Sequence, residues 1–221
     1  MWKRLTEEKQ AEILETGIAE FAKHGVDHVS MSSIAEKTRI SVGVLYKYYA
    51  DKNAFFDACL QRSLNVLRET LDEVTAMDGN ILSLAESLIR TLQRCAAEHS
   101  SYMRMYLQIT AGSNGVYARR LADAIEGISA EVYTKRIAQA QARGDVRRDM
   151  DPKLFAFFFD SLLMMMQFSY CADYYQARFR RYCGADVLED NDRVAKELLK
   201  FFESAFTLEQ ADIHHSKKGA E

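Results

Sequence analysis

Apolar positions recur at helical spacing along nearly the whole chain. Ile13, Leu14, Gly17, Ile18 and Phe21 share one face of a stretch that opens at Thr6-Glu7-Glu8 and closes at His24-Gly25. Two short segments follow. Ser30 caps the first, with Ile34 and Ala35 inward; Ser41 caps the second, with Val44, Leu45 and Tyr48 at helical spacing. Asp51 is the predicted cap of a fourth helix reaching about Met77. Its inward row includes Phe55, Phe56, Cys59, Leu60, Leu64, Leu67 and Val74, and Asp78-Gly79 stops it. A fifth helix begins near Asn80, with Leu84, Leu88, Leu92 and Cys95 on one face. A shorter one carries Tyr102, Met103, Tyr106 and Leu107 and ends before the run 111–115. A long, more polar helix then spans Tyr117 to Arg143, and Gly144-Asp145 closes it. The pattern predicts an all-α protein.

Asp151-Pro152 opens the next helix, a cap followed by proline in the first turn. Read as one element through Phe179, it is apolar around almost its whole circumference from Leu154 to Tyr170. A helix at a surface shows one apolar stripe, so this one is expected to be covered twice, by its own domain and by a second subunit. The last helix, about Asp192 to Leu208, would complete a four-helix seam with its symmetry mate. Met164, Phe168, Leu198, Phe201, Phe202 and Phe206 are the expected dimer contacts. Residues 211–221, a polar tail, are expected to be disordered.

Between the two short helices only Thr38-Arg39-Ile40 remain to make the turn, with Ile40 placed to plug the gap. That is the plan of a helix-turn-helix, which lays its second helix in the DNA major groove. Around it stand Ile18, Phe21, Gly25, Val29, Ser30, Ile34-Ala35, Ile40-Ser41, Gly43, Leu45-Tyr46, Tyr48-Tyr49, Lys52 and Phe55-Phe56. In this run, over about residues 7–67, the chain resembles the TetR (tetracycline-repressor-like) family of transcription regulators. The resemblance implies an amino-terminal DNA-binding domain (residues 1–52), an effector-binding and dimerisation domain (53–210), a homodimer and a palindromic operator. Arg39 departs from the pattern, standing where the family usually has glycine. It must either accept a left-handed backbone or reshape the turn, and it is also a candidate phosphate contact.

Charge changes this picture little. The chain has 221 residues and a formal net charge of −3, and residues 1–52 hold eight basic and eight acidic side chains. The acids gather on the first helix, whereas Lys37, Arg39, Lys47 and Lys52 lie in or beside the hairpin, where a local basic face can meet phosphates. No uninterrupted apolar run reaches membrane-spanning length and the amino terminus is too polar for a signal peptide, so no membrane is expected and the cytoplasm is the expected location. The four cysteines, without a Cys-x-x-Cys pair, read as buried thiols. No cofactor or metal is implied: His24 and His28 straddle Gly25, and His214-His215 lie in the tail. No phosphate loop, nucleophile elbow or ligand cluster supports an enzyme.

By position, Val42, Gly43, Val44, Tyr46 and Lys47 should line the outer face of the recognition helix. Gly43 permits close approach, and Val42 or Val44 suits a thymine methyl. Ser32, Ser41, Tyr46, Tyr48 and Lys52 look like phosphate-positioning groups, as their family counterparts are. Leu45 and Tyr49 point inward. For a small, largely apolar effector the candidates are Tyr102, Met103, Tyr106, Phe158 and Met165, with Asp160 and Gln167 orienting it or else facing a partner subunit or solvent. The resulting expectation is a DNA-binding regulator, most simply a repressor released by its effector. The alternative is a ligand-binding helical protein that keeps the hairpin only as scaffold.

Overall fold

The computed structural model describes residues 5–75, 79–111 and 115–207, and within them every regular element is helical. The stop at Asp78, the turn residues 112–114 and the tail 211–221 lie outside the described residues, as does the expected helix end at Leu208.

The first compact unit comprises Met1–Asp72 and Cys95–Gly127. It holds α1 (Glu7–His24), α2 (Met31–Lys37), α3 (Val42–Tyr48), most of α4 (Lys52–Thr75), α6 (Ser100–Ala111), α7 (Gly115–Leu121) and a π turn (Ala122–Glu126). Local capping fixes where these helices begin. Thr6, Ser30 and Ser41 accept from the backbone N–H of Lys9, Ser33 and Val44, and Asp51 Oδ1 accepts from Ala54 N at 2.8 Å. Ile18, Phe21, Leu45, Phe55, Phe56, Leu60, Met103 and Met105 form the core. Aromatic edges interlock there, Phe21 on Phe56 at 5.0 Å and Tyr49 on Phe55 at 4.9 Å between ring centroids. A cut after residue 52 does not follow this unit, which continues through most of α4 and includes α6 and α7. Glu15 of α1 accepts from both Arg62 Nε of α4 and Tyr102 OH of α6, each at 2.6 Å.

The second unit comprises Glu73–Arg94 and Ile128–Glu221. Most of α5 (Ile81–Glu98) and α8 (Gly127–Arg143) belong to it, with α9 (Pro152–Cys171), α10 (Asp173–Cys183) and α11 (Asn191–Phe206). Asp151 caps α9 by accepting from Lys153 N and Leu154 N, with Pro152 in the first turn as expected. Phe155, Phe159, Phe202, Phe206 and Tyr133 make an aromatic core, with Phe159 4.7 Å from Phe202 and 5.2 Å from Tyr133. Gln93 ties α5 to its neighbours by donating to Tyr170 OH (3.0 Å) and to the Asn191 carbonyl (2.8 Å).

Three expectations are corrected. The helix from Asp151 does not run unbroken to Phe179: Ala172 is extended (φ −115°, ψ 131°), so α9 ends at Cys171 and a separate α10 carries Tyr174 to Cys183. The polar helix from Tyr117 to Arg143 is interrupted by the π turn at Ala122–Glu126. Phe168, Phe202 and Phe206, expected at a dimer seam, are only 4%, 2% and 1% exposed in the single chain. They are core: Phe168 packs on Tyr175 of α10, and Phe202 and Phe206 pack on Phe155 and Phe159 of α9. One absence expected from the sequence also needs restating. By length and composition alone α9 could cross a membrane, although Phe155, Phe159, Leu163 and Met166 are buried in this unit.

Candidate nucleic-acid interface

The turn between α2 and α3 is a Schellman closure. Ile40 N donates to the Ala35 carbonyl (3.0 Å) and Arg39 N to the Glu36 carbonyl (3.1 Å). Such a closure requires a left-handed residue at its centre, and Arg39 supplies it at φ 54°, the one non-glycine residue with positive φ among those described. The backbone is therefore shaped as glycine would shape it, with a guanidinium added at an exposed position. Beneath the turn, Thr38 is fully buried and its hydroxyl donates to the Ile34 carbonyl at 2.7 Å. Sequence reasoning passed over Thr38, whose signal was a hydroxyl at the helix end before a short turn. Ile40 is half-buried, a partial plug.

Leu45 anchors α3 in the core at 0% exposure, and Tyr49 packs on Phe55. Burial and the neighbouring thiol of Cys59 push the Tyr49 phenol above its ordinary pKa. The opposite face of α3 is open: Val42 is 37% and Tyr46 50% exposed, Gly43 and Lys47 are exposed, and Val44 is intermediate. A Cβ built on Gly43 would meet nothing within 4 Å. Nothing in the chain itself requires glycine there.

The phosphate-directed candidates divide by what already holds them. Ser32 is exposed, and the Ser41 hydroxyl accepts from Val44 N, which leaves its proton to donate outward. The Tyr48 hydroxyl accepts from Leu5 N at 2.7 Å, tying the chain before α1 to the end of α3. Lys52 is committed inward: its ammonium donates to the carbonyls of Val26 (2.9 Å) and Asp27 (3.3 Å), while the adjacent α4 terminus is capped by Asp51. Lys37 is paired with Glu20.

The effector candidates fall in different units. Tyr102, Met103 and Tyr106 are buried in the first, where Tyr102 OH donates to Glu15 and Tyr106 OH to Glu126. Burial, then the hydrogen bond to Glu15, raises the Tyr102 phenol to about 12. Phe158 (52% exposed), Met165 (36%), Asp160 and Gln167 lie on α9 of the second. There Met165 joins Leu162, Leu198 and Phe201, with Arg178 of α10, around an open groove of about 430 Å³. The groove thus combines one effector candidate with two dimer candidates, and α10, whose separate existence the sequence did not signal, supplies its far wall. Met164 is half-buried beside it on α9.

Comparison with known proteins agrees with this geometry. Residues 13–59, from α1 through the hairpin into α4, match the family described as bacterial regulatory proteins, tetR family. The chain is 26% identical over 135 residues to the HTH-type transcriptional repressor SCO4008 of Streptomyces coelicolor, a match spanning 59% of this chain and 70% of that protein. Its fold is that of the ketosteroid transcriptional regulator KstR2 of Mycobacterium tuberculosis (TM-score 0.66, 19% identity, 93% of this chain and 98% of that one). It also matches AibR in complex with isovaleryl coenzyme A and operator DNA (TM-score 0.60, 22% identity, 73% and 85%). With its hairpin closed on Arg39 and the outer face of α3 left open, the chain carries over residues 13–59 the amino-terminal domain of the tetR family of bacterial regulatory proteins.

Proposed function

We propose that the chain acts as a homodimeric repressor that reads a palindromic operator with α3 and lets go when a small, largely apolar molecule binds. The single observation that carries the DNA contact is Gly43. Glycine inside a helix costs about 0.5–1 kcal/mol relative to alanine, and no neighbour within 4 Å repays it. A surface that must come within touching distance of another molecule accounts for it. In this reading Val42, Gly43, Val44, Tyr46 and Lys47 face the bases. Ser32, Arg39, Ser41 and Tyr48 position the phosphates, and Lys52 joins them after leaving its two carbonyls.

The second copy is assigned to α9 and α11 of the second unit. Leu154, Phe157, Phe158 and Phe201 are 57%, 64%, 52% and 57% exposed, an apolar area that a single chain leaves in water. Repression is supported by the name of SCO4008 as a repressor, and effector binding by the ligand in the AibR structure. Selection of bound fragments from a random DNA pool tests the reading. Enrichment of an inverted repeat, its halves about one helical turn (roughly 34 Å) or a multiple apart, is the expected result. A pool that yields no consensus at moderate salt removes α3 as a reader and leaves the hairpin as scaffold.

A further inference from the structure

A cavity of about 380 Å³ lies wholly within the first unit, at the end of α1 and the loop after it, the start of α4, and the facing ends of α6 and α7. That volume is in the range of small-molecule sites. Its apolar wall is aromatic: Phe21 and Phe56 meet edge to face, and Phe56 meets Tyr117 in the same way at 4.7 Å. Its rim carries hydrogen-bonding groups from separate elements, the amides of Asn53 (α4) and Gln108 (α6), the imidazoles of His24 and His28, and Asp27, whose carboxylate disfavours an anionic occupant. No lysine or arginine lines it. The loop forming one side, Val26–Asp27, is the segment whose carbonyls Lys52 holds.

We propose that this cavity is a small-molecule site on the DNA-reading unit itself, suited to an uncharged planar aromatic compound with hydrogen-bonding groups on its edge, and coupled to DNA through Lys52. The aromatic wall, built of rings set edge to face, favours a ring over a saturated body of equal size, because ring edges meet ring faces favourably. Amides and imidazoles at the mouth, each able to donate and accept, match hydroxyl or amide groups at the rim of such a ring. An occupant packed against the 26–27 loop stabilises the arrangement in which Lys52 donates to that loop. A phosphate that draws Lys52 away withdraws two hydrogen bonds from the same loop. Ligand and DNA therefore oppose one another, and by linkage each weakens the other by the same factor. The site itself stands on the cavity alone; only the coupling rests on the role proposed above for Lys52.

The test uses the full chain at pH 7.5 with 2-naphthol as probe and its saturated counterpart decahydro-2-naphthol as control, first without DNA. Saturable binding of 2-naphthol in the range of about 1 mM or tighter is expected, at least tenfold stronger than that of the control. Gln108→Trp, filling the cavity from an exposed position on α6, should weaken it at least tenfold. Saturation-transfer contacts from the probe to the Phe56 and Tyr117 rings locate the site without any substitution. Failure of the probe to bind, equal binding of the saturated control, or contacts elsewhere overturns the proposal, whatever the chain does with DNA. With the selected operator present, probe affinity should fall by the factor by which the probe lowers DNA affinity, and Lys52→Met should abolish that reciprocity. Binding that ignores DNA overturns the coupling.

Discussion

Gly43→Ala separates what the fold wants at this position from what a partner wants. Gly43 is the second residue of α3, and a Cβ there would enter open space. The substitution therefore removes unfolded-state freedom and adds no clash, so stability should rise by about 0.4–1 kcal/mol, nearer the lower figure this close to a helix end. For a chain of this size that corresponds to a melting rise of about 1–3 °C. If α3 lies against base edges, the same methyl projects about 1.5 Å into the gap it must close. A loss of tenfold or more in affinity, about 1.4 kcal/mol, is expected. Urea unfolding followed by circular dichroism measures the first quantity. Fluorescence anisotropy on the selected operator at fixed salt measures the second. Gly17→Ala is the contrasting variant: its Cβ would sit 2.5 Å from Phe55 Cζ and 2.7 Å from Cys59 Sγ, so it should destabilise by about 1–3 kcal/mol. A Gly43→Ala protein that is more stable yet holds its operator within twofold of the parent would refute the placement of α3 in the groove.

Further outcomes follow from other residues. Arg39→Gly relieves a left-handed arginine and should stabilise by about 1 kcal/mol in urea titration, and, with two copies per dimer, it should shallow the salt dependence of DNA affinity by about two units of log–log slope if each guanidinium meets a phosphate. Tyr102 is an acid whose folded pKa lies above its unfolded value, so the native state keeps a proton that the unfolded chain sheds between about pH 10 and 12. Stability from this group is intact below about pH 10 and is lost as pH rises through 12, and Tyr102→Phe should flatten that decline in denaturant titrations from pH 9 to 11.5. Phe157→Glu, on an exposed apolar face, should convert the proposed dimer to monomer in sedimentation with little change in helicity. Phe202→Ala, in the core, should instead cost about 3–5 kcal/mol in unfolding.

How much of this was legible depends on how far the cause lies from the residue. The helix starts at Glu7, Met31, Val42, Lys52 and Pro152 could be read because a cap and the N–H it satisfies are three residues apart. The left-handed turn at Arg39 is one of two outcomes left open where the family pattern has glycine, and the backbone at φ 54° decides between them. The break at Ala172 has no such mark: Cys171-Ala172-Asp173 contains neither glycine nor proline, yet Ala172 is extended and α9 ends at Cys171. Periodicity identified Phe168, Phe202 and Phe206 as inward, but it cannot say whether the cover is the same chain or another. The same limit affects Tyr102, whose hydroxyl partner Glu15 lies 87 residues away in sequence, so that an apparent pocket residue is a structural tie.

The two buried thiols turn this arrangement into a clock that needs no engineered probe site. Cys59 is closed inside the first unit and Cys171 inside the second, and burial raises the Cys59 pKa so that little reactive thiolate forms while it stays shut. Brief exposure to an alkylating reagent, followed by peptide mass analysis, would thus time the opening of each half independently in the same tube. Adding operator or a small molecule would then reveal which half it slows.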